Sequence, residues 1–350
     1  MLEKVFVDDI IITISNRERS LFMKQKVSAT SSLDVSRVRG VSLRKRKSKV
    51  RVSEFGRAFA CGGSLRDFLN TLPRILAGKD FREVIKRTVA ARRQGRPVIF
   101  GMGAHVIKVG LSPVIIQLIK RGLITLVTMN GAGIIHDLEI ALAGKTSEDV
   151  DTELPAGRFG MASETGQILN DAISQGAKAG LGLGQAVARA MEAKRLPYSQ
   201  LSIVLAAAKK GIPLTCHVAL GTDIIHLHPA MDGAATGQTS YRDFQIFSSM
   251  VARLNRGVYF NIGSAVILPE VFLKAVSLAR NLGHNVTRFT TVNMDFISHY
   301  RPLTNVVRRP TAQGGKGYNL IGHHEIMLPL LAAALVEEME AGPVFGKERR

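Results

Sequence analysis

The sequence predicts a three-layer α/β protein, in which a mostly parallel, Rossmann-like sheet lies between helices. Three mostly apolar runs support this prediction, and each leads through a glycine-containing turn into a helix-like pattern: residues 98–103, 123–133 and 258–264. A strand followed by a turn and a helix, repeated in this order, is the unit from which parallel sheets are built. Strands that are apolar along most of their length are typical of sheets covered on both faces.

The first unit begins with the apolar run 98–100 and turns at Gly101 and Gly103. Ser112 and Pro113 then predict the start of a helix, because serine is a favoured N-cap and proline is favoured at the first helical position. A turn with two glycines at the end of a strand lets backbone N–H groups approach a phosphate.

The second unit repeats the pattern, since the run 123–129 meets the turn 130–133 and another helix pattern follows at once. Two such turns at the carboxyl ends of strands predict a nucleotide-binding edge. The alternative is a pair of ordinary turns whose glycines only satisfy a backbone with positive φ. The spacing G-x-G-x-x-G is absent, so the glycines alone leave both interpretations open.

The remaining elements follow from periodicity and capping residues. Asp80 predicts a helix start, and Gly211 and Gly283 predict helix ends. Further helices are expected within residues 64–78, 80–95, 163–175, 177–193, 199–210, 241–254, 269–283 and 325–339, and further strands within 211–221 and 285–295. Residues 146–160 and 298–318 show little periodicity and are expected to form long loops.

Strands and helices alternate without a linker through most of the chain, which predicts a single domain over residues 58–345. A basic, partly disordered extension is expected over 1–57 and a short tail over 346–350. The formal net charge is +19, and residues 1–51 contain 13 lysines and arginines against 5 acidic residues. Such a stretch could bind phosphates. No aromatic residue interleaves its densest part, 44–51, so a solvated tail is expected rather than a nucleic-acid partner.

The sequence also indicates in which cellular compartment the protein is expected. Cys61 and Cys216 are its only cysteines, which excludes a disulfide framework and suits a reducing environment. No apolar run approaches the roughly 20 residues that a membrane-spanning helix needs. Asp8 and Asp9 interrupt the apolar N-terminal stretch, which makes it a poor signal peptide. A cytoplasmic protein without a membrane partner is expected.

His226 and His228 form an H-x-H pair in a polar loop, residues 221–229. On a strand, both rings would point to the same side and could hold a metal ion. The alternative is a pair of capping or hydrogen-bonding histidines beside a site. Because no H-E-x-x-H or second acidic ligand motif accompanies the pair, no metal site is predicted.

Lys316 lies between glycines in the aperiodic segment, downstream of Arg301, Arg308 and Arg309. A buried lysine near other cations has a lowered pKa and can act as a nucleophile, whereas a solvated lysine is the ordinary case for a loop. The arginines could bind an anionic group through forked hydrogen bonds. They could equally form a surface cluster or pair with acids at a subunit interface.

Five segments, in the same order, resemble the deoxyhypusine synthase family and in particular its divergent bacterial relatives. These segments are GMGAHVIKVG (101–110), TMNGAGIIHDLEIAL (128–142), LGTDIIHLH (220–228), NIGSAVILPEVFL (261–273) and RPTAQGGKGYNLIGHHEIMLPLL (309–331). The resemblance extends over roughly residues 64–340. It implies a deoxyhypusine synthase-like NAD-binding fold, NAD as cofactor, a small-molecule substrate and a homotetramer.

The resemblance also implies roles for individual residues. Asp223 matches the family's polyamine-contacting aspartate, His228 matches the histidine of the same segment, and Lys316 falls near the catalytic lysine, so these three are the predicted catalytic residues. The predicted cofactor-binding residues are Gly103, Ala104, His105, Asn130, Gly131, Ala132, Asp137, Gly263, Ser264 and His323. Arg301, Arg308 and Arg309 are predicted to bind the substrate.

The chain departs from the family where the family binds its polyamine. It has no tryptophan, Ala312 replaces a glutamate, residues 268–270 lack the family's K-H-H, and the family's aspartate-rich stretch is basic here. A polyamine site needs carboxylates, so an anionic or neutral substrate is predicted. The predicted activity is NAD-dependent lysine-imine chemistry on a non-polyamine substrate. The alternatives are a non-catalytic nucleotide-binding or regulatory protein and true deoxyhypusine or homospermidine synthase activity.

Overall fold

The computed structural model describes residues 2–7, 10–15, 32–342 and 344–345. The chain divides into two compact units, residues 1–51 and 52–350. In the first unit, β1 (Leu2–Val7) and β2 (Ile10–Ser15) pair in antiparallel fashion, and a 3-10 turn spans Val35–Arg37. Residues 16–31 of the predicted extension and the predicted tail, 346–350, lie outside the described residues.

Six parallel strands form the sheet of the second unit, in the order β5-β4-β3-β6-β7-β8. These strands are β3 (Val98–Met102), β4 (Leu126–Asn130), β5 (Leu214–His217), β6 (Val258–Ile262), β7 (Thr290–Asp295) and β8 (Lys316–Ile321). Every adjacent pair is parallel, which confirms the predicted α/β class and Rossmann-like sheet. Counted from β3, the order is 3-2-1-4-5-6, as in dinucleotide-binding sheets, and the order reverses between β3 and β6.

Helices fill the connections between these strands. They are α1 (Leu65–Thr71), α2 (Leu76–Arg93), α3 (His105–Lys108), α4 (Ser112–Lys120), α5 (Gly131–Ala143), α6 (Val150–Glu153), α7 (Ser163–Lys178), α8 (Leu183–Glu192), α9 (Ile203–Lys210), α10 (Gly233–Ala252), α11 (Ile267–Asn281), α12 (Tyr300–Pro302) and α13 (His324–Glu340). A π-helical segment, Leu303–Arg308, continues α12, and short 3-10 turns occur at Val52–Glu54, Ser199–Leu201 and Ile224–Leu227. Among the described residues, no helix combines the length and apolar character that crossing a membrane requires.

The core has two parts, one on each face of the sheet, because successive residues of a strand point to opposite faces. Phe100 and Phe260 lie on the face covered by α2, α4 and α13. Ile99 and Tyr259 lie on the face covered by α10 and α11. There the ring of Tyr259 stacks on that of Phe272, with centroids 3.8 Å apart. Both faces of the sheet are therefore buried, as the apolar runs predicted.

Two helix starts differ from the sequence prediction. Helix α2 begins at Leu76, so Asp80 lies inside the helix instead of capping it. Helix α4 includes Ser112 as its first residue, and Leu111 occupies the N-cap position. Helix boundaries depend on how the preceding loop is held, which periodicity does not encode. The predicted end at Gly211 is confirmed, since this glycine has φ +70° and caps α9.

The predicted loop 298–318 is largely ordered into elements that the sequence analysis missed. It contains α12, the π-helical segment and the first residues of strand β8, which begins at Lys316. Tyr318 and Leu320 are buried while Lys316 and Ile321 are exposed. This alternation is short and starts beside three glycines, so it gives a weak strand signal. As a result, the sequence analysis placed Lys316 in a loop.

A row of five polar residues and one glycine crosses the sheet on the face that α10 and α11 cover. Its members, in register across the six strands, are Thr215, Thr128, Gly101, Asn261, Asn293 and Asn319. The three asparagines form a ladder, because Asn261 Nδ2 donates to Asn293 Oδ1 at 2.8 Å and Asn293 Nδ2 donates to Asn319 Oδ1 at 2.8 Å. Asn261 Nδ2 also donates to the carbonyl of Ser264 at 2.9 Å. The ladder ties the turn after β6 to the edge strand β8.

We expect Asn293→Leu to lower the free energy of unfolding by about 2–3 kcal/mol, because it removes both ladder bonds and leaves Oδ1 of Asn319 without its donor. Urea unfolding at neutral pH measures this loss. Asn281→Leu is the matched control, since Asn281 is exposed at the end of α11, and should change stability by less than ~0.5 kcal/mol. Equal effects of the two changes would contradict a stabilising ladder.

Candidate functional site

The strands β3 and β6 end side by side at the carboxyl edge, where two glycines bring their turns into contact. A Cβ added to Gly103 would lie 2.1 Å from the carbonyl oxygen of Gly263. The N–H of Gly103 donates to the carbonyl of Ile262 at 2.9 Å. Gly263 has φ +63°, a conformation that favours glycine. Only residues without a side chain fit this crossing, which forms the floor of a crevice at the point where the strand order reverses.

Imidazole and phenyl rings line the crevice above these glycines. The ring centroid of His105, at the start of α3, lies 5.3 Å from that of His324 and 5.6 Å from that of Phe296. His323 is exposed and its ring is parallel to that of Phe296, with centroids 6.2 Å apart. The ends of three strands, β3, β7 and β8, therefore contribute to one aromatic cluster. The sequence analysis named His105 and His323 but missed His324 and Phe296.

His324 has a defined orientation. It is 1% exposed, and its Nε2 donates to the carbonyl of Met294 at 3.1 Å, because a carbonyl can only accept. Nδ1 of His324 is buried and has no hydrogen-bond partner in the described part of the chain. Partial burial, reinforced by the neighbouring His324, lowers the pKa of His105. The lowered pKa favours the neutral imidazole of His105 near pH 7, so His105 can accept a proton.

A second set of predicted residues meets at the start of α5. The side chain of Asn130 caps this helix by accepting a hydrogen bond from the N–H of Gly133 at 3.1 Å. Asp223, from the loop after β5, lies against the same helix end: a Cβ on Gly131 would be 2.0 Å from its Oδ2. The sequence analysis assigned this helix N-terminus to a phosphate, but here it faces a carboxylate, which satisfies the positive end of the helix dipole.

Asp223 is 8% exposed, and its Oδ2 has no hydrogen-bond partner among the described residues. Burial raises the pKa of Asp223, while the nearby His226 and the N–H of Ala132 act in the opposite direction. A cavity of about 180 Å³ adjoins it, lined also by Lys108, His136, Glu139 and Thr222 among others. Oδ2 of Asp223 is packed against Gly131, while the residue as a whole lies at the edge of the cavity, where a carboxyl group can hold a hydroxyl or amino group of a ligand.

His226 and His228 support the loop around Asp223. Nδ1 of His226 accepts hydrogen bonds from the N–H groups of Gly221 and Asp223, at 3.1 and 3.2 Å. Nδ1 of His228 accepts from the N–H of Ala230 at 3.1 Å. The two histidines lie on a 3-10 turn and at its end rather than on a strand, so the interpretation as hydrogen-bonding histidines is the one that the structure bears out. No cluster of metal-ligating side chains occurs among the residues that the structure describes.

A cluster that the sequence analysis did not detect lies beside this cavity on α5. The hydroxyl of Thr146 donates to Glu139 and is 2.6 Å from Nδ1 of His136. Thr165 donates to the other oxygen of Glu139 at 3.1 Å. Burial acts to raise the pKa of Glu139, but the hydrogen bonds from His136 and Thr146 outweigh it, and the pKa is lowered. Glu139 is therefore an ionised carboxylate at the wall of the cavity. The residues come from three separate segments, so no sequence motif marks them.

Asp137, predicted to bind the cofactor, instead holds another helix. Its Oδ1 accepts from the N–H of Ile203 at 2.7 Å, and its Oδ2 accepts from the hydroxyl of Ser202 and the N–H of Val204. Asp137 is 1% exposed. Burial raises the pKa of this carboxyl to about 6, although these hydrogen bonds oppose the effect. Its three contacts cap the N-terminus of α9, so Asp137 is not available to a ligand in the crevice.

Lys316 lies at the opposite edge of the sheet from Asp223. It is the first residue of β8 and is in register with Thr290, the first residue of β7. A strand of six residues spans about 16 Å, and the crevice lies at the other end of these strands. Lys316 is also exposed. Lys316 and Asp223 are therefore not close together, although both were predicted to belong to one catalytic site.

The predicted substrate-binding arginines also do not converge on Asp223. Arg301 pairs with Glu270, with Nε and Oε1 3.6 Å apart. Arg309 donates to Oδ1 of Asn305 at 3.0 Å. Arg308 is exposed at the end of the π-helical segment. The prediction of an anionic or neutral substrate rested on lost carboxylates and on these arginines, whereas the groups that lie near Asp223 include the carboxylates of Glu139 and Glu148.

The chain matches no protein-family model and no curated protein. Among solved structures it is similar to the apo form of ArgZ, an arginine dihydrolase of the ornithine–ammonia cycle in cyanobacteria, with 14% identity and a TM-score of 0.47, covering 74% of this chain and 31% of ArgZ. The chain thus spans about a third of that protein. It is similar to the complex of AgrE with ornithine and NAD+, with 12% identity and a TM-score of 0.46, covering 76% and 34% of the two chains.

A candidate deoxyhypusine synthase from Entamoeba histolytica is also similar, with 11% identity and a TM-score of 0.46 over 80% of this chain and 95% of that one. All of these identities lie far below the level at which an activity can be transferred. The function of this chain is therefore inferred from the geometry of its own site.

Proposed function

We propose that this protein is an NAD-dependent enzyme that binds the dinucleotide in the crevice between β3 and β6 and a small polar substrate beside Asp223. The observation that carries the proposal is the contact of Gly103 with Gly263 where the strand order reverses. Open α/β sheets bind ligands at this position, outside the carboxyl ends of the strands. The missing Cβ of Gly103 lets the two turns touch, and the missing Cβ of Gly263, which would point towards the rings of His105 and His324, lets a ligand's pyrophosphate approach the backbone.

The residues of the crevice fit the pyrophosphate and a planar ring of NAD better than they fit its adenosine ribose. Gly103, Ala104 and Gly263 offer a backbone cradle for the pyrophosphate, and the rings of His105 and Phe296 offer faces for a planar group. In dinucleotide-binding sheets, an acidic residue near the end of the second strand binds the adenosine ribose. Here that strand, β4, ends at Asn130, which already caps α5. Other groups must therefore contact the ribose.

When bound, NAD supplies the hydride acceptor. The chain's own residues then orient the substrate and take up a proton. Asp223 holds a hydroxyl or amino group of the substrate at the edge of the cavity that it lines. The neutral imidazole of His105 accepts the proton that leaves this group as the adjacent C–H bond is oxidised. The hydrogen bond from Nε2 of His324 to the carbonyl of Met294 holds this ring in place beside His105.

A second candidate function is nucleotide binding without catalysis. It is favoured by the position of Lys316, which is exposed at the amino edge and separated from the crevice by the length of a strand. Lysine-imine chemistry at this residue would then be absent. Mass spectrometry of the ligand that co-purifies with the protein, followed by a search for NADH formation at 340 nm with small amines and alcohols, separates the two functions.

Titration with NAD+, NADH, NADP+ and NADPH by calorimetry tests the site itself. We expect saturable binding of NAD+ or NADH, and His105→Ala should weaken it about tenfold, which corresponds to ~1.4 kcal/mol. The matched control is His284→Ala, because His284 is an exposed histidine beyond the end of α11. Absence of dinucleotide binding by the unchanged protein would refute the proposal. Equal affinities of the two variants would exclude His105 from the site.

We expect Lys316→Ala to leave both NADH affinity and any NAD-dependent turnover within twofold of the unchanged protein, since Lys316 lies at the opposite edge of the sheet. Calorimetry and initial rates at 340 nm measure the two quantities. The same assays on Lys108→Ala serve as the comparison. Lys108 lines the cavity next to Asp223, so its removal should change NADH affinity or turnover. A turnover loss of a hundredfold or more in Lys316→Ala would reinstate the lysine mechanism.

We also propose a homo-oligomer, with a tetramer as the expected form, whose contact adjoins the site. Several large exposed apolar side chains follow the carboxyl ends of the strands. They include Leu220, Leu227, Phe296, Ile297, Tyr300 and Ile326, exposed by 43% to 74%. Contiguous exposed apolar surface is typical of interfaces. Light scattering at micromolar concentration measures the mass, and a monomer would refute this proposal.

A further inference from the structure

A second cleft lies at the amino edge of the sheet, where the chain enters β6, β7 and β8. It has a volume of about 350 Å³, and four cationic side chains line it: Arg87, Arg256, Arg288 and Lys316. The other lining residues are Ala90, Ala91, Gln94, Phe289, Thr290 and Gly314, so no carboxylate is among them. Four like charges around one cleft repel one another unless an anion lies between them.

Hydrogen bonds of the backbone N–H groups fix the three segments that carry Arg256, Arg288 and Lys316. The N–H of Arg256 donates to the carbonyl of Arg288 at 2.6 Å, and the N–H of Lys316 donates to the carbonyl of Phe289 at 2.9 Å. The N–H of Arg288 donates to Oδ1 of Asn255 at 3.0 Å. Arg256, Arg288 and Lys316 thus lie on backbone segments that are hydrogen-bonded to one another at the rim of the cleft. Because this backbone is already ordered, a ligand does not have to order it in order to bind.

The backbone of Arg256 is strained. It has φ +64°, in the left-handed region that residues with a side chain rarely adopt. Such conformations cost on the order of 1–3 kcal/mol and concentrate at ligand-binding positions. The conformation of Arg256 is maintained by its bond to Arg288 and brings the two arginines to the same cleft.

The cations are largely without protein partners. In the described part of the chain, the side chains of Arg256, Arg288 and Lys316 make no ion pair or hydrogen bond, whereas Arg87 has Glu83 at 3.5 Å. Arginine and lysine side chains that converge without acids are typical of phosphate recognition, because the guanidinium fork matches two phosphate oxygens and the ammonium adds a point charge. Ala90, Ala91 and Phe289 add an apolar wall.

We propose that this cleft binds a small ligand that carries two or more phosphoryl groups, at a site separate from the carboxyl-edge crevice. The volume lies within the range of small-molecule sites, about 300–1,000 Å³. Because Arg87 is paired with Glu83, three cations remain to be balanced, and this requires more than one phosphoryl charge. A nucleic acid strand is disfavoured, because Phe289 is buried and no exposed aromatic residue lines the cleft for base stacking. The strand length of about 16 Å keeps such a ligand away from Asp223.

Calorimetric titration of the full chain with inorganic tripolyphosphate, in 150 mM NaCl, tests this site. We expect saturable binding, weakened at least twentyfold in the double variant Arg288→Gln/Lys316→Gln. The matched control is Lys194→Gln/Arg195→Gln, which removes two exposed cations from the loop after α8 and should change the dissociation constant by less than twofold. Because the basic N-terminal stretch is present in every variant, the difference between the doubles reports the cleft alone.

Three further measurements complete the test. The charge-preserving Arg288→Lys/Lys316→Arg should recover most of the affinity, which a merely misfolded cleft would not. NADH at saturation should leave tripolyphosphate affinity unchanged, so failure of the proposed NAD site and failure of this one are separable. No saturable tripolyphosphate binding, equal weakening in the control double, or tighter binding of single-stranded oligothymidylate that is lost with the cleft charges would each overturn the proposal.

Discussion

Replacement of Gly103 by alanine is expected to abolish NADH binding, with the dissociation constant rising at least a hundredfold, or about 2.8 kcal/mol. The added Cβ would lie 2.1 Å from the carbonyl oxygen of Gly263 and 2.9 Å from its carbonyl carbon. These are backbone atoms of a neighbouring strand end, so neither can move without parting β3 from β6. The floor of the crevice would be displaced, and a loss of about 2–4 kcal/mol in the free energy of unfolding is expected as well.

Gly237→Ala is the matched control for this experiment. A Cβ on Gly237 meets nothing within 4 Å, and the residue is exposed within α10. This change should raise the free energy of unfolding by up to ~1 kcal/mol, because glycine is a poor helix former, and should leave NADH affinity unaltered. Calorimetry and urea unfolding on both variants give the two quantities. NADH affinity that is unchanged in Gly103→Ala would show that the dinucleotide does not use this crevice.

Asp243→Asn is expected to make the free energy of unfolding much less dependent on pH. Asp243 is fully buried on α10, and its Oδ2 accepts from the N–H groups of Gly184 and Cys216 at 2.8 and 2.7 Å. Its Oδ1 has no partner among the described residues. Burial raises the pKa of Asp243 to about 7, although these hydrogen bonds act against the rise. The folded protein thus holds this proton more tightly than the unfolded chain, whose aspartates have a pKa of about 3.9.

The direction in which stability changes with pH follows from this difference between the folded and unfolded pKa values. The stability that protonated Asp243 contributes is complete below about pH 4 and is lost as the pH rises through about 7. Between pH 5 and pH 8, the unchanged protein should therefore lose roughly 2–3 kcal/mol through this group. Asparagine keeps the acceptor oxygen and cannot ionise, so Asp243→Asn should be the more stable protein at pH 8.

Urea unfolding at pH 5 and pH 8 measures this effect. Asp171→Asn, at an exposed position of α7, is the control and should retain the pH dependence of the unchanged protein. Asp137, whose pKa is raised to about 6, contributes in the same direction and remains in both variants. If Asp243→Asn loses as much stability between the two pH values as the unchanged protein does, Asp243 is not the titrating group.

The sequence by itself determined the α/β class, the parallel sheet and the glycine turns at its carboxyl edge. Apolar runs and capping residues determine local structure through residues that are close in sequence. A tight turn likewise requires its glycine wherever the turn lies in the fold. Gly103 and Gly263 could therefore be singled out separately. That they touch depends on β3 and β6 being adjacent, which follows from the packing of the intervening helices.

Only the tertiary structure decided which polar residues share a site. His105 and His324 are more than 200 positions apart, yet their rings are neighbours, because β3 and α13 meet at the carboxyl edge. Asp137 belongs to the segment that resembles a cofactor contact, but Ser202 and Ile203 take its carboxylate. Lys316 sits at the amino edge because β8 begins at that residue. If a strand began one strand length earlier in the chain, the same residue would lie at the carboxyl edge of the sheet instead of the amino edge. Local sequence does not encode where the strand begins.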